Sequence, residues 1–188
     1  VHLIDPDQIE ESNLHRQINY TLEDVGDFKT EVSKNKLQKI NEITKIISHQ
    51  TSYENYLKEN ANENFDLVFD CTDNHENKIL SSQLCKKNKI AYVSISINST
   101  EGIYFSQDYK KDTTACFACL FPQTDVNHRC LNSAMIGPVA GFVTSLACTK
   151  IIFALANSSN DLKSEINLID LLTSDINKLQ LADINCPH

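Results

Sequence analysis

The sequence predicts an α/β fold: a mostly parallel sheet with flanking helices and an added antiparallel part at the C-terminal end. Three observations carry that expectation. Residues 65–70 form a short apolar run of the kind a buried parallel strand shows, and residues 90–97 are rich in β-branched residues. Residues 24–47 place apolar side chains at helical steps. Strands and helices then alternate along the chain, as a parallel sheet with crossover helices requires.

Taken in order, residues 1–5 read as the end of a strand that turns at Pro6. The helix over 24–47 rests on Val25, Phe28, Val32, Leu37, Ile40, Ile43 and Ile47, spaced by roughly three or four residues. Residues 51–56 offer a short strand, 65–70 a buried strand, 74–88 a helix, and 90–97 and 102–107 further sheet. A cysteine-rich loop follows, then a long apolar helix, then two strands at 166–169 and 178–181. No internal repeat or low-complexity linker interrupts this pattern, so residues 1–188 read as a single domain. Patches rich in Asn, Lys, Ser and Glu read as solvated faces.

The apolar helix invites a membrane test. Residues 131–149 carry no formal charge and approach the length of a bilayer span. Gly137-Pro138 interrupts the run, however, and Asn132, Ser133, Thr144 and Ser145 dilute it. Lys150 then falls among Ile151, Ile152 and Phe153. The expectation is a core helix with Pro138 in its first turn, not a membrane span.

Composition narrows the function. A 41 % hydrophobic share suits a globular core, so disorder is not expected. A net charge of −8 argues against nucleic acid or an anionic membrane as the main partner. Seven cysteines cannot all pair within one chain, and two have the spacing of metal ligands, Cys116-Phe-Ala-Cys119. A reduced, cytoplasmic setting fits that pattern. The chain starts at Val1 inside a strand and ends at Cys186-Pro187-His188 inside a motif, so both ends read as cut from a longer protein.

Four clusters carry chemistry. In the first, Asp5 stands at a strand's carboxyl end, where an acid meets ribose hydroxyls in nucleotide-binding α/β folds. The polar loop that follows contains Ser12-Asn13-Leu-His15-Arg16-Gln17, with Lys29 on the next helix. It reads as a phosphate site or as a solvated acidic loop with one structural arginine. In the second, the strand 65–70 runs into Cys71-Thr72-Asp73-Asn74. A carboxylate there suits Mg²⁺ on ATP phosphates, or Asp73 or Asn74 is simply the cap of the next helix. The third is Cys116 and Cys119 with Cys186, a structural zinc set whose second pair is incomplete; His188 is a less favoured substitute. The alternatives are a redox or incidental CxxC. The fourth is Cys130, whose neighbours His128 and Arg129 favour a thiolate, against an inert buried thiol as expected for Cys85 and Cys148.

In this order the motifs SNLHRQ, DCTDN and CFACLFP resemble those of the ubiquitin-activating-type adenylyltransferases, the MoeB and ThiF proteins. The likeness runs from Asp5 to Cys186. It implies a Rossmann-like adenylation domain whose glycine-rich N-terminal strand–helix unit, partner-reaching arginine and fourth zinc cysteine lie outside residues 1–188. Asp5 would bind the ATP ribose. Asn13, Arg16 and Lys29 would hold phosphates, Asp73 would contact Mg²⁺, and Gln17 and Asn74 match nucleotide-site positions. Cys116, Cys119 and Cys186 would bind Zn²⁺, and Cys130 matches a crossover-loop cysteine involved in sulfur transfer. The implied reaction adenylates the C-terminal carboxylate of a ubiquitin-like sulfur carrier, of the thiamine or molybdopterin type. The implied partners are that carrier, a sulfur donor such as a cysteine desulfurase or rhodanese, and a second copy in a homodimer.

Competing readings explain less. An NAD-dependent oxidoreductase shares the strand-end acid but leaves Arg16, Lys29 and the cysteines unused. A non-catalytic partner of a ubiquitin-like protein has no use for Arg16, Lys29 and Asp73 together. The related tRNA-modifying cyclases are disfavoured by Cys116 and Cys119.

Overall fold

The computed structural model describes residues 1–60, 63–110, 115–122, 135–156, 162–181 and 186. The chain divides into two compact units, Val1–Glu63 and Asn64–His188.

In the first unit, strand β1 (His2–Ile4) pairs in parallel with β2 (Ile47–His49). Helix α1 (Lys29–Ile40) packs on both strands. It is shorter at both ends than the apolar spacing over 24–47 suggests. Gly26 adopts a left-handed φ of +95°, which turns the chain before the helix can start. At the other end Asn41 closes α1, and its Oδ1 accepts the backbone N–H groups of Ile43 (3.0 Å) and Thr44 (3.2 Å). The amide thereby offers those N–H groups an alternative to helical pairing. Ile43 is left exposed and Ile47 enters β2, so their helical spacing is coincidental. The short strand expected over 51–56 is likewise displaced. β2 lies just before it, and Ser52 caps helix α2 (Tyr53–Glu59) by accepting the Asn55 N–H at 3.3 Å.

The second unit holds a five-stranded sheet in chain order: β3 (Leu67–Asp70), β4 (Ala91–Asn98), β5 (Glu101–Asp108), β6 (Glu165–Asp170) and β7 (Asp175–Gln180). β3 and β4 are parallel, joined by α3 (His75–Lys87). All later pairings are antiparallel. Parallel pairing among the described strands is therefore limited to β1–β2 and β3–β4, and the antiparallel part begins earlier than expected, at β5. The cause is local: only Ser99 and Thr100 separate β4 from β5, and Ser99 takes a φ of +54°. A two-residue connection permits only an antiparallel hairpin.

Helix α5 (Gly137–Ala156) lies across β4 and β5, with Pro138 in its first turn. Val139, Val143, Ala147 and Ile151 face a core that includes Val93, Ile95, Tyr104 and Ile169. The helix is long and apolar enough to cross a membrane by length and composition. Burial covers only one of its faces; Phe142, Ile152 and Phe153 on the other are exposed. Lys150 has a specific reason to interrupt the apolar run. Its ammonium pairs with the buried carboxylate of Glu165 and lies 5.1 Å from the centre of the Tyr104 ring. Lys178 of β7 pairs with the same carboxylate, and the Asn167 side chain donates to it at 3.1 Å. Burial alone would raise the Glu165 pKa, but these partners outweigh it and hold the carboxyl below its ordinary range.

Candidate functional site

In the first unit, Asp5, Asp7 and Lys29 meet at the carboxyl end of β1. Asp5 follows that strand, and its backbone N–H donates to the His49 carbonyl of β2 at 3.1 Å. Its side chain accepts the Asp7 N–H at 2.8 Å, folding the loop back over the strand end. Lys29 is the first residue of α1. Its N–H donates to the Asp7 carbonyl (3.1 Å) and its Nζ to the Asp7 carboxylate (2.9 Å). Burial works to lower the Lys29 pKa, but the Asp7 hydrogen bond and the charges of Asp5 and Asp7 prevail, so it is raised. Lys29 is thus a fixed cation at a helix N-terminus, close to two acids.

The motif loop between them is built on its own backbone. Asn13 is buried at the end of a 3-10 turn over Glu11–Asn13, and its Oδ1 accepts the Glu10 N–H at 3.2 Å. Arg16 folds back so that Nη1 donates to the Ser12 carbonyl at 3.0 Å. The Gln17 Oε1 is buried without a hydrogen-bond partner among the described residues. Asp5, Lys29 and the loop 12–17 therefore share one compact unit, Val1–Glu63.

The second unit resolves an ambiguity at the carboxyl end of β3. Asn74 caps α3: its Oδ1 accepts the Asn77 N–H at 3.1 Å. Asp73 is exposed and is not the cap. The Asp73 carboxylate is thus not committed to the helix N-terminus.

Beneath this edge lies a network the sequence did not announce. Asp70, Lys78 and Tyr92 are all buried. The Tyr92 hydroxyl donates to Asp70 Oδ2 at 2.9 Å, and Lys78 Nζ donates to the Ile95 carbonyl at 2.8 Å and to Asp70 Oδ1 at 3.4 Å. Thr72 donates both its N–H (2.9 Å) and its hydroxyl (2.7 Å) to Asp70 Oδ1. Burial lowers the Lys78 pKa, with Asp70, and Asp73 to a lesser extent, acting in the opposite direction. Burial and the Asp70 charge raise Tyr92 far above its ordinary value, so it stays a donor. The only sequence signal was an acid closing an otherwise apolar strand.

Cys116, Cys119 and Cys186 converge: Sγ separations are 3.6 Å for Cys116–Cys119 and 3.3 Å for Cys119–Cys186, and all three sulfurs lie within 4.8 Å of one another. These spacings far exceed a disulfide bond of about 2.05 Å. Three thiolates around zinc at about 2.3 Å each would lie just under 4 Å apart. The donor set therefore fits zinc, with one coordination position left for a further ligand. Short helix α4 (Phe117–Leu120) carries the pair, and Phe117 buries it against Tyr92 and Phe105. Cys130, with His128 and Arg129, and the alternative ligand His188 lie outside the described residues.

The ThiF family profile matches residues 1–188. An "Adenylyltransferase and sulfurtransferase MOCS3" of Dictyostelium discoideum is 27 % identical over 86 % of this chain and 38 % of its own length. A "Sulfur carrier protein adenylyltransferase" of Thermus thermophilus is 26 % identical over 100 % of this chain and 72 % of its own. Among solved structures, E. coli MccB matches with a TM-score of 0.80 at 20 % identity, covering 97 % of this chain and 57 % of that one. The chain thus spans about two fifths of the MOCS3 relative and just over half of MccB.

Proposed function

The chain belongs to the ThiF family, and from that premise we propose that it is the adenylation domain of an enzyme that activates the C-terminal carboxylate of a ubiquitin-like sulfur carrier with ATP. The observation that carries this reading is the Asp5–Asp7–Lys29 arrangement at the carboxyl end of β1, a strand-end acid suited to ribose hydroxyls beside a fixed cation at a helix N-terminus. The name of the Thermus relative supports a sulfur carrier as acceptor, and that of the MOCS3 relative supports adenylyl transfer coupled to sulfur transfer.

The chemistry follows from charge. A carrier carboxylate is already ionised at pH 7, so no general base is needed. One of its oxygens forms a bond to the α-phosphorus of ATP while the bond to the β-phosphate oxygen breaks and pyrophosphate leaves. An anion must approach a polyanion, so cations at the phosphates lower the barrier. Arg16 and Lys29 would supply two of them, with the side-chain NH₂ of Asn13 donating beside them. Lys29 would exchange its Asp7 partner for phosphate oxygens. Gln17 and Asn74 would line the nucleotide. Asp73 would hold Mg²⁺, which when bound neutralises phosphate charge. Cys116, Cys119 and Cys186 would hold Zn²⁺, which cross-links α4 to the C-terminal end of the chain. Cys130 would act after adenylation, when sulfur from a cysteine desulfurase or rhodanese reaches the acyl-adenylate. The carrier is of the thiamine or molybdopterin type, and the working form is a cytoplasmic homodimer.

The test is ATP–pyrophosphate exchange by the full-length enzyme, with thiamine-type and molybdopterin-type carriers supplied in turn. Exchange that depends on one carrier's intact C-terminus is expected. Absence of exchange with either carrier, or exchange that ignores the carrier's tail, would refute the reading.

A further inference from the structure

Asp73 sits between two well-fixed features. On its N-terminal side, Asp70 Oδ1 accepts both donors of Thr72, so residues 70–72 form a closed turn. On its C-terminal side, α3 begins at once. That helix is tied to the sheet from beneath: Lys78 Nζ reaches the Ile95 carbonyl of β4, and the Tyr92 hydroxyl contacts both Asp70 Oδ2 and the Lys78 carbonyl (3.2 Å). Asp70 is the shared centre. One oxygen holds the loop and the other holds the tyrosine of β4.

A core that needed only stability has no evident use for this arrangement. A lysine and an aspartate, both under 5 % exposed, carry a large desolvation cost that apolar side chains of similar volume would avoid. Buried polar networks that are fully paired do fix geometry, because each partner accepts only a narrow range of distances and angles. The geometry fixed here is that of the exposed residue between the two anchors.

We propose that Asp70, Thr72, Lys78 and Tyr92 are positioning residues that aim the Asp73 carboxylate at its divalent cation. This rests on the reading of Asp73 as the Mg²⁺ ligand. The four residues do not touch the cation. Asp70 orders the loop through Thr72; Lys78 and Tyr92 hold Asp70 in place and lock α3, and with it Asn74, to β4. Lys78 also keeps the local charge balanced, so that Asp70 does not add a second uncompensated negative charge behind Asp73.

The experiment uses the full-length enzyme, with Mg²⁺ titrated in the exchange assay and amide hydrogen exchange read separately without nucleotide or metal. Thr72→Val, which keeps the shape of an exposed loop residue, and Tyr92→Phe should each raise the half-saturating Mg²⁺ concentration about three- to tenfold, the fold-change of one hydrogen bond. KM for the carrier should stay within about twofold, as these residues do not meet it. Thr72→Ser should restore wild-type Mg²⁺ dependence. Amides of residues 71–77 should exchange faster in both Thr72→Val and Tyr92→Phe. A purely structural role predicts lower thermal stability with unchanged half-saturating Mg²⁺. That result, or unchanged amide exchange, overturns the proposal. If Asp73→Asn abolishes exchange while Thr72→Val and Tyr92→Phe leave the Mg²⁺ titration unmoved, the positioning role alone fails. If Asp73→Asn exchanges like wild type, the reading of Asp73 fails and takes the positioning role with it.

Discussion

Gly102 of β5 stands where the sheet meets α5. It is buried, pairs with Ile97 on one side and Ile169 on the other, and lies directly under Val143. A methyl group built there collides with Cγ2 of Val143 and also lies 3.4 Å from its Cγ1 and 3.5 Å from its Cβ. Val143 cannot easily yield. It is fully buried, and β-branching in a helix leaves one strongly preferred χ1. The glycine is therefore present for space, not for an unusual φ. Two effects oppose each other in Gly102→Ala. Reducing the freedom of the unfolded chain favours the variant by about 0.4–1 kcal/mol. Overpacking between a sheet and a helix costs about 1–3 kcal/mol. The second effect prevails, and a net loss of about 1–2 kcal/mol is expected by urea denaturation. The collision assigns the cause to one partner. Val143→Ala alone should also destabilise, by leaving a cavity, but Gly102→Ala with Val143→Ala should be better than the sum of the two by at least about 1 kcal/mol. Strict additivity, or a single Gly102→Ala variant as stable as wild type, would refute the close-approach argument.

Two further predictions concern the ends of the second unit. Glu165 has its pKa lowered in the folded protein, since the pairing with Lys150 and Lys178 outweighs burial. Its contribution is thus present above the unfolded carboxylate value of about 4.3 and is lost as pH falls through the lower folded value. Glu165→Gln should cost about 1–3 kcal/mol at pH 7 and flatten the stability profile below about pH 4, measured by denaturation across pH. Metal analysis of the full-length enzyme should give one zinc per chain, and Cys119→Ser should remove it while lowering the melting temperature. A zinc-free wild-type protein of undiminished stability would exclude the metal.

The sequence was most legible where punctuation agreed with pattern. Asn74 and Asn88 bound the helix expected over 74–88, and the structure makes them its N- and C-caps. The cysteine set was legible because CxxC spacing needs only one local turn, here α4. The misreadings have equally local causes. Ile43 and Ile47 continue the spacing of α1 past a break that depends on one asparagine side chain. The β4–β5 hairpin turns at Ser99-Thr100, without the glycine that usually marks such a turn. The Asp70–Lys78–Tyr92 network was invisible because its members lie 8 and 22 residues from Asp70 and meet only when β3 and β4 pair in parallel. A lysine near a helix start is ordinarily a solvated residue, and no periodicity distinguishes this one.

On the proposed reading, the neighbouring residues Asp73 and Asn74 divide labour at the parallel crossover. A helix that follows a strand with almost no loop brings its first N–H groups to the strand's carboxyl edge, where those donors require an acceptor. Had Asp73 supplied it, the carboxylate would be committed to the helix and weakened as a cation ligand. Asn74 supplies it instead, through its contact with Asn77. The two roles therefore separate by mutation. Asn74→Ala should destabilise the protein by about 1 kcal/mol, the usual cost of losing a cap. Asp73→Asn, at an exposed position outside the cap, should change stability by less than about 0.5 kcal/mol while abolishing carrier-dependent pyrophosphate exchange. Thermal denaturation and exchange measured on the same two variants decide the matter. If Asp73→Asn loses stability like a missing cap and keeps exchange, Asp73 serves the helix, and the cation must be held by other oxygens.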